Sequence, residues 1–246
     1  MHRLRPGDRH GDRAGLTHAG YSPVTLRRVG ELAGRAVARE PKEIVARGYD
    51  AIALRYAEWA GGIDSPTLEW VRDLNARLAD GADVLELGCG RGVPATRELA
   101  RRHRVTGVDI SAVQIELARH HVPEASFVHA DATELLIAEA SLDAVVALFL
   151  FGHVPVEEQR DLIMRVGLWL RPGGHLLSTF GAGEPGEDVD EDWLGAPMFF
   201  ASLGADAYGP LLRDAGLEPV RDEVVSQYEP GHGEVSFRWL LARANA

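Results

Sequence analysis

A chain of 246 residues with a single cysteine, Cys89, cannot close an intramolecular disulfide, and an intracellular, reducing compartment is expected for it. Long hydrophobic runs are missing as well. The longest apolar stretch, Ala144–Phe151, falls far short of the roughly 20 residues a membrane helix needs, so it reads as a buried central strand with no membrane partner. Met1–Gly20 carries charges, glycines and histidines where a secretory signal would have an apolar segment, which points to the cytoplasm. Cations are scarce: 26 Lys and Arg against 37 Asp and Glu leave a net charge of -11. Phosphate backbones need clustered cations, so nucleic acid is not an expected partner. The deficit is uneven, because residues 1–40 hold eight arginines against two Asp and two Glu, a charge of +4, leaving -15 for residues 41–246.

What is present is concentrated in VLELGCGRG, Val84–Gly92, followed by VTGVDIS, Val105–Ser111. Val84, Leu85 and Leu87 suit a parallel strand buried on both faces, and Gly88, Gly90 and Gly92 let the backbone turn tightly against a ligand. A second strand then ends in a carboxylate, Asp109, placed to accept hydrogen bonds from both ribose hydroxyls of a nucleotide-type cofactor, with Ile110 beside it to pack on an adenine face. A dinucleotide fingerprint spaces its glycines G-x-G-x-x-G under a pyrophosphate, whereas here the spacing is G-x-G-x-G. Glu86 precedes the turn, where an anion repels a pyrophosphate but attracts, directly or through water, the ammonium of a methionine moiety. These details favour S-adenosylmethionine over a nicotinamide dinucleotide.

On these motifs the chain resembles the class I S-adenosylmethionine-dependent methyltransferases of the small-molecule, bacterial type, from about Val45 to the C-terminus. The resemblance implies transfer of a methyl group (EC 2.1.1), with S-adenosyl-L-homocysteine as the product. It puts the first motif on Glu86, Gly88, Cys89, Gly90 and Gly92, the ribose acid on Asp109, and further cofactor contacts on Ile110 and Gln114. The adenine-binding acid falls on Asp131 with Ala132 beside it, the end of the fourth strand on Phe149, and the turn before the fifth on LRPGG, Leu170–Gly174. Tyr49 and Tyr56, on an opening Y-D-x-x-A-x-x-x-Y-like segment, become lid contacts to the cofactor, although a plain helix-packing role fits either one alone. Cys89 reads as a spacer, because a methyl donor needs no covalent relay.

Along the chain, residues 1–40 read as a basic extension, flexible at first, with an amphipathic helix over 25–39 capped near Ser22 or Thr25. Residues 41–246 read as one domain. Ile44, Val45, Tyr49, Ile52, Ala53 and Tyr56 recur at three and four residues along one helical face, Gly61 and Gly62 end that helix, and a second runs from Ser65 to Leu78, together a helical lid over 41–80. Strands at 83–87, 105–109, 126–130, 143–149 and 174–180 then alternate with helices at 93–102, 112–121, near 133–138 and 156–169. A helix at 205–215 and strands near 218–227 and 234–243 follow. This pattern predicts an α/β fold: a doubly wound, mostly parallel seven-stranded sheet with helices on both faces and the last strand antiparallel, the Rossmann-like methyltransferase fold. Oligomeric state is not legible.

The segment 181–204 has no counterpart in the minimal fold and reads as a substrate cap: a solvated acidic loop running into the apolar Trp193, Met198, Phe199 and Phe200. With Tyr56, these are the candidate acceptor-pocket residues, simple anchoring of the insert being the alternative. Methyl transfer needs mainly alignment and exclusion of water, and for an oxygen, nitrogen or carbon acceptor a base helps; His153 in LFGHVP is the candidate. His129 falls on the other strand face and reads as structural. Leu148, Phe149, Leu150 and Phe151 stand where some oxygen methyltransferases hold a divalent cation on Asp and Asn ligands, so no metal is expected. The Asn-Pro-Pro-aromatic signature of nucleobase amino methylation is missing too. The leading reading is a methyltransferase acting on a small organic metabolite, of the kind found in secondary metabolism. A binding module that holds the cofactor without chemistry and a nicotinamide-dependent oxidoreductase are the alternatives.

Overall fold

The computed structural model describes Val24–Thr25 and residues 40–245. The expected helix over 25–39 therefore lies outside the described residues, apart from Thr25, which with Val24 forms strand β1 (Val24–Thr25). Helix α1 (Pro41–Gly61) starts on a proline, whose fixed φ and missing N–H suit a first turn, and α2 (Thr67–Arg77) follows. The repeating units are β2 (Asp83–Leu87), α3 (Ala95–Ala100), β3 (Arg104–Asp109), α4 (Ala112–His121) and β4 (Ser126–His129). After the short β5 (Leu136–Ile137) come β6 (Leu142–Ala147), α5 (Val156–Trp169) and β7 (Leu170–Gly181). The chain closes with β8 (Gly186–Trp193), β9 (Ala196–Ser202), α6 (Tyr208–Asp214), β10 (Leu217–Glu229) and β11 (Gly233–Ala244).

Seven strands form one sheet in the order β10-β11-β7-β6-β2-β3-β4. β2 pairs in parallel with both β3 and β6, and β11 runs antiparallel to β7 and to β10. The order reverses between β2 and β6, so the crevice beyond the carboxyl ends of these strands is where such a sheet takes a ligand. The strands' apolar content is explained by burial on both faces. Leu85 and Leu87 join a core with α5 and α6, including Leu162, Ile163 and Tyr208, while Val84 faces Trp70, Val71 and Leu74 of α2. Trp70 stacks on Trp239 of β11 at 5.7 Å between ring centres. Truncating any of these fully buried leucines to alanine costs about 2–5 kcal/mol.

Three expectations are corrected. The stretch 133–138 is not a helix: a single 3-10 turn at Ala132–Glu134 leads into β5, which pairs with β1. LRPGG is not a turn ahead of the strand but the irregular start of β7, where the register against β6 shifts between Leu142 and Ala144. The insert is not a loop but a hairpin, β8 against β9. Together with α1 it forms a third apolar cluster over the strand ends, including Val45, Ile52, Trp193 and Met198. The close approach requires Gly48, since a Cβ there would stand 2.7 Å from the Pro197 carbonyl oxygen and 2.8 Å from Met198 Cε.

Candidate active site

A cavity of about 1060 Å³ opens over the carboxyl ends of the central strands and runs from the glycine turn to the β10–β11 hairpin. Gly88 and Gly90 hold φ of 69° and 51°, left-handed values that L side chains rarely adopt. A Cβ on Gly90 would project into open space, with nothing nearer than Gln114 Oε1 at 3.9 Å, so bare main chain forms the floor. Asp109 closes the turn: Oδ2 accepts from the Gly90 N–H at 2.8 Å and Oδ1 from the Ser111 N–H at 2.9 Å. Burial pushes its pKa up to about 6, against the lowering effect of those two bonds.

Glu86 is only 4% exposed and accepts from Thr96 Oγ1 at 2.5 Å. Burial pushes it up to about 8, opposed by the threonine bond and helped by the nearby Asp109 charge. A carboxylate kept protonated by its surroundings is one that an arriving cation would ionise. Cys89, also buried, has its thiol pushed up by burial, and its Sγ packs beside Gly107, where a Cβ would come within 2.9 Å of it. A thiol in that state is a poor nucleophile.

Gln114 is 2% exposed, and both its side-chain amide atoms lack a hydrogen-bond partner among the described residues. It lies on the cavity wall with Ile110 and Ala132. Ser111 caps α4 by accepting from the Gln114 backbone N–H at 3.1 Å, and Ser111 Oγ in turn donates to Asp50 of α1 at 2.6 Å. Asp131 lines the cavity too, but its carboxylate is already engaged. Oδ1 accepts from the N–H and Oγ1 of Thr133 at 2.8 Å each, and Oδ2 meets Nζ of Lys42, the chain's only lysine, at 2.7 Å. Lys42 also reaches Glu158 at 2.8 Å, tying the start of α1 to α5. Phe149 takes a φ of 56°, donates its N–H to Thr179 Oγ1 at 2.6 Å, and lays its ring edge-on to Phe237 and Trp239.

The middle of the cavity holds His153 and Tyr49. His153 Nδ1 lies 2.8 Å from the Phe199 carbonyl oxygen, and Nε2 lies 2.8 Å from Tyr49 Oη. A carbonyl only accepts, so Nδ1 carries the proton, Nε2 presents its lone pair, and the Tyr49 hydroxyl donates to it. Burial lowers His153 to about 4, with the bond to Phe199 opposing, so the imidazole is neutral at pH 7. Tyr49 is raised well above the usual phenol value and Tyr56 to about 12, both chiefly by burial. The Tyr49 ring meets Tyr56 edge-on at 5.1 Å and Trp193 at 5.9 Å.

The expected acceptor residues divide. Trp193 and Phe200 line the cavity, and Phe200 lies 5.1 Å from the His153 ring. Met198 is fully buried under Gly48, and Phe199 contributes its carbonyl to His153 rather than a wall. His129 is exposed and bonds the Ile110 carbonyl at 3.0 Å. Sequence reasoning missed Lys42, Thr96, Trp59, Gln227, Glu229 and His232, all but Thr96 on the cavity wall. Lys42, as the lone lysine of the chain and in the first turn of α1, carried the one signal that could have been found. Among the described residues no cluster of three or more His, Cys, Asp or Glu could hold a metal ion, and no helix is long and apolar enough to cross a membrane.

Residues 84–174 match the family described as Methyltransferase domain. The chain is 35% identical over 223 residues to a 27-O-demethylrifamycin SV methyltransferase of Amycolatopsis mediterranei, covering 76% of this chain and 78% of that one. It is 31% identical over 162 residues to an O-methyltransferase of Pyrenophora dematioidea, covering 61% and 59% of the two chains. Among solved structures, the magnesium protoporphyrin IX methyltransferase of Synechocystis PCC 6803 with bound S-adenosylmethionine superposes with a TM-score of 0.66 at 18% identity, over 86% of this chain and all of that one. At that identity the likeness speaks for the fold. The residues fit the cofactor of these proteins on their own terms: a bare glycine floor, a buried carboxylate at the β3 end, an unpartnered Gln114 amide on the wall, and a protonated Glu86 ready for a cation.

Proposed function

Because the chain belongs to the S-adenosylmethionine-dependent methyltransferases, we propose that it methylates a hydroxyl oxygen of a small organic metabolite, within secondary metabolism. The observation that carries the choice of oxygen is the Tyr49–His153 pair: a neutral imidazole with a fixed tautomer whose lone pair faces the cavity through a phenol. The names of the two relatives point the same way, one of them a 27-O-demethylrifamycin SV methyltransferase. Acidity outside the N-terminal extension argues for a small molecule and against nucleic acid.

Asp109 would take the ribose hydroxyls, Gln114 and Ile110 the base end with Asp131 and Ala132, and Glu86 the ammonium, at the floor formed by Gly88, Cys89 and Gly90. S-adenosylmethionine, when bound, supplies an electrophilic methyl group on a sulfonium whose positive charge is lost on transfer. The hydroxyl proton of the acceptor passes to Tyr49 Oη as Tyr49 passes its own to His153 Nε2, leaving imidazolium and a restored phenol. A buried imidazole near pKa 4 is a weak base, but here its new charge replaces one that the site has just lost, so the low-dielectric cavity carries the same net charge throughout. The Phe199 carbonyl, accepting from Nδ1, orients the ring and supports the imidazolium. The helical lid over 41–80 and the hairpin within 181–204 exclude water above this pair.

The test is turnover with a set of hydroxylated aromatic acceptors, followed by locating the new methyl group by NMR. Methyl on oxygen, lost in His153→Ala while cofactor affinity persists, supports the reading. Methyl on nitrogen or carbon, or full turnover in the variant, overturns it. Cofactor uptake without turnover on any acceptor would favour the regulator reading instead.

A further inference from the structure

Gln227 lies on β10, is 7% exposed, and faces the cavity. Its Nε2 donates to Glu229 Oε1 at 2.8 Å. A carboxylate only accepts, so this bond sets which way the amide points, and the end left over is the carbonyl. That buried Gln227 Oε1 has no hydrogen-bond partner among the described residues. A buried acceptor left unmade is costly, and on a cavity wall the group that completes it is a donor on the ligand.

The surroundings add negative charge. Glu229 is half-buried beside Gln227, and Asp188 and Asp190 of β8 also border the cavity. Among the described residues none of these three carboxylates enters an ion pair. Of the cations on the wall, Lys42 is held by Asp131 and Glu158, while Arg91 and Arg97 follow the glycine turn of β2. The wall itself is aromatic: Trp59 meets Trp193 at 5.6 Å and Tyr56 at 5.8 Å, and Trp59 Nε1 donates to the Pro230 carbonyl at 2.9 Å, fixing α1 against the β10–β11 turn. Aromatic faces stack on planar bodies and attract cations, and unmet acceptors bind only donors.

Resting on the methyltransferase reading, we infer that the acceptor is a planar apolar molecule bearing a protonated amine, which donates to Gln227 Oε1 and Glu229 while its body lies against Trp59 and Trp193. This nitrogen is a handle and not the methylated atom, because a protonated amine has no lone pair with which to attack. The methylated atom is another one, turned toward Tyr49 and His153.

The experiment is calorimetry on the full chain, first with S-adenosylhomocysteine and then, on the loaded protein, with three matched planar probes: tryptamine (cation), 3-ethylindole (neutral) and indole-3-propionate (anion). Tryptamine is expected to bind about tenfold more tightly than 3-ethylindole, and indole-3-propionate most weakly. Glu229→Gln, which keeps shape and loses charge, is expected to narrow the gap, and Gln227→Leu with Glu229→Gln to abolish it with S-adenosylhomocysteine affinity unchanged. Equal affinity for tryptamine and 3-ethylindole, preference for the anion, no binding of any probe, or a gap that survives both substitutions overturns the inference while leaving methyl transfer standing. No uptake of S-adenosylhomocysteine in the first titration brings down both.

Discussion

At the β2 end the cavity is walled by main chain and by a carboxylate at a strand terminus, Gly88, Gly90 and Asp109, all within 22 residues of one another. At the β10 end it is walled by side chains, Trp59, Trp193 and Gln227, which come from α1, an inserted hairpin and the sheet edge and meet only when all three have assembled. The first kind of wall is a local property of a strand, a turn and a helix, and in the proposed reading it holds the cofactor. The second changes with any substitution in three separate elements, which suits the part of the site that selects an acceptor.

Substitutions should separate the two ends. The largest effect is expected where they meet: His153→Ala should lower turnover by about 10²–10⁴-fold, the range for losing a positioned base, with cofactor affinity retained in calorimetry. A parallel loss of cofactor binding would mean that the ends are not separable. Next, Asp109→Ala should weaken S-adenosylhomocysteine binding by about 1–3 kcal/mol, the scale of charge-assisted hydrogen bonds, without altering the tryptamine preference. Unchanged affinity would contradict the ribose assignment.

Gly48→Val should act first on the packing of α1 against the hairpin, because the added atoms meet the Pro197 carbonyl and the Met198 side chain. Forced apart, α1 and β9 should lose about 1–3 kcal/mol of stability, seen as a lower midpoint in urea. Undiminished stability would show that the hairpin tolerates separation from α1.

The smallest effect is a pH dependence confined to the cofactor end. Burial holds Glu86 up to about 8, so near pH 7 the ligand-free protein carries it protonated. An arriving ammonium favours the carboxylate, so binding expels a proton, and affinity should rise with pH by up to about tenfold per unit until near pH 8 and then level off. Titrations in buffers of different ionisation heat read the proton directly. A flat profile, or affinity falling with pH, would remove Glu86 from the ammonium site.

The same contrast explains what was legible from residues alone. The β2–β3 unit, its glycine turn and Asp109 could be read because the apolar run, the turn chemistry and the terminal carboxylate are adjacent in the chain. β8 was hidden because all but Val189 and Trp193 along it are exposed, so its acids mimic a solvated loop and its alternation is lost. β5 was read as helix because its partner, β1, lies more than a hundred residues away and leaves no local mark. Across β8 and β9, the apolar Trp193, Met198, Phe199 and Phe200 looked equivalent until the hairpin put Phe200 on the wall and Met198 under α1. Gln227 gave no sign at all, since its unmet carbonyl follows from a bond to Glu229 and from burial by distant elements.

The direct measurement of the division between the two ends is a crystal structure of the full chain with S-adenosylhomocysteine. The ribose hydroxyls should lie on Asp109, with the sulfur turned toward Tyr49 and His153 and the space along Trp59, Trp193 and Gln227 left open for the acceptor. A ligand that occupies the aromatic end, or whose sulfur points away from His153, would contradict it.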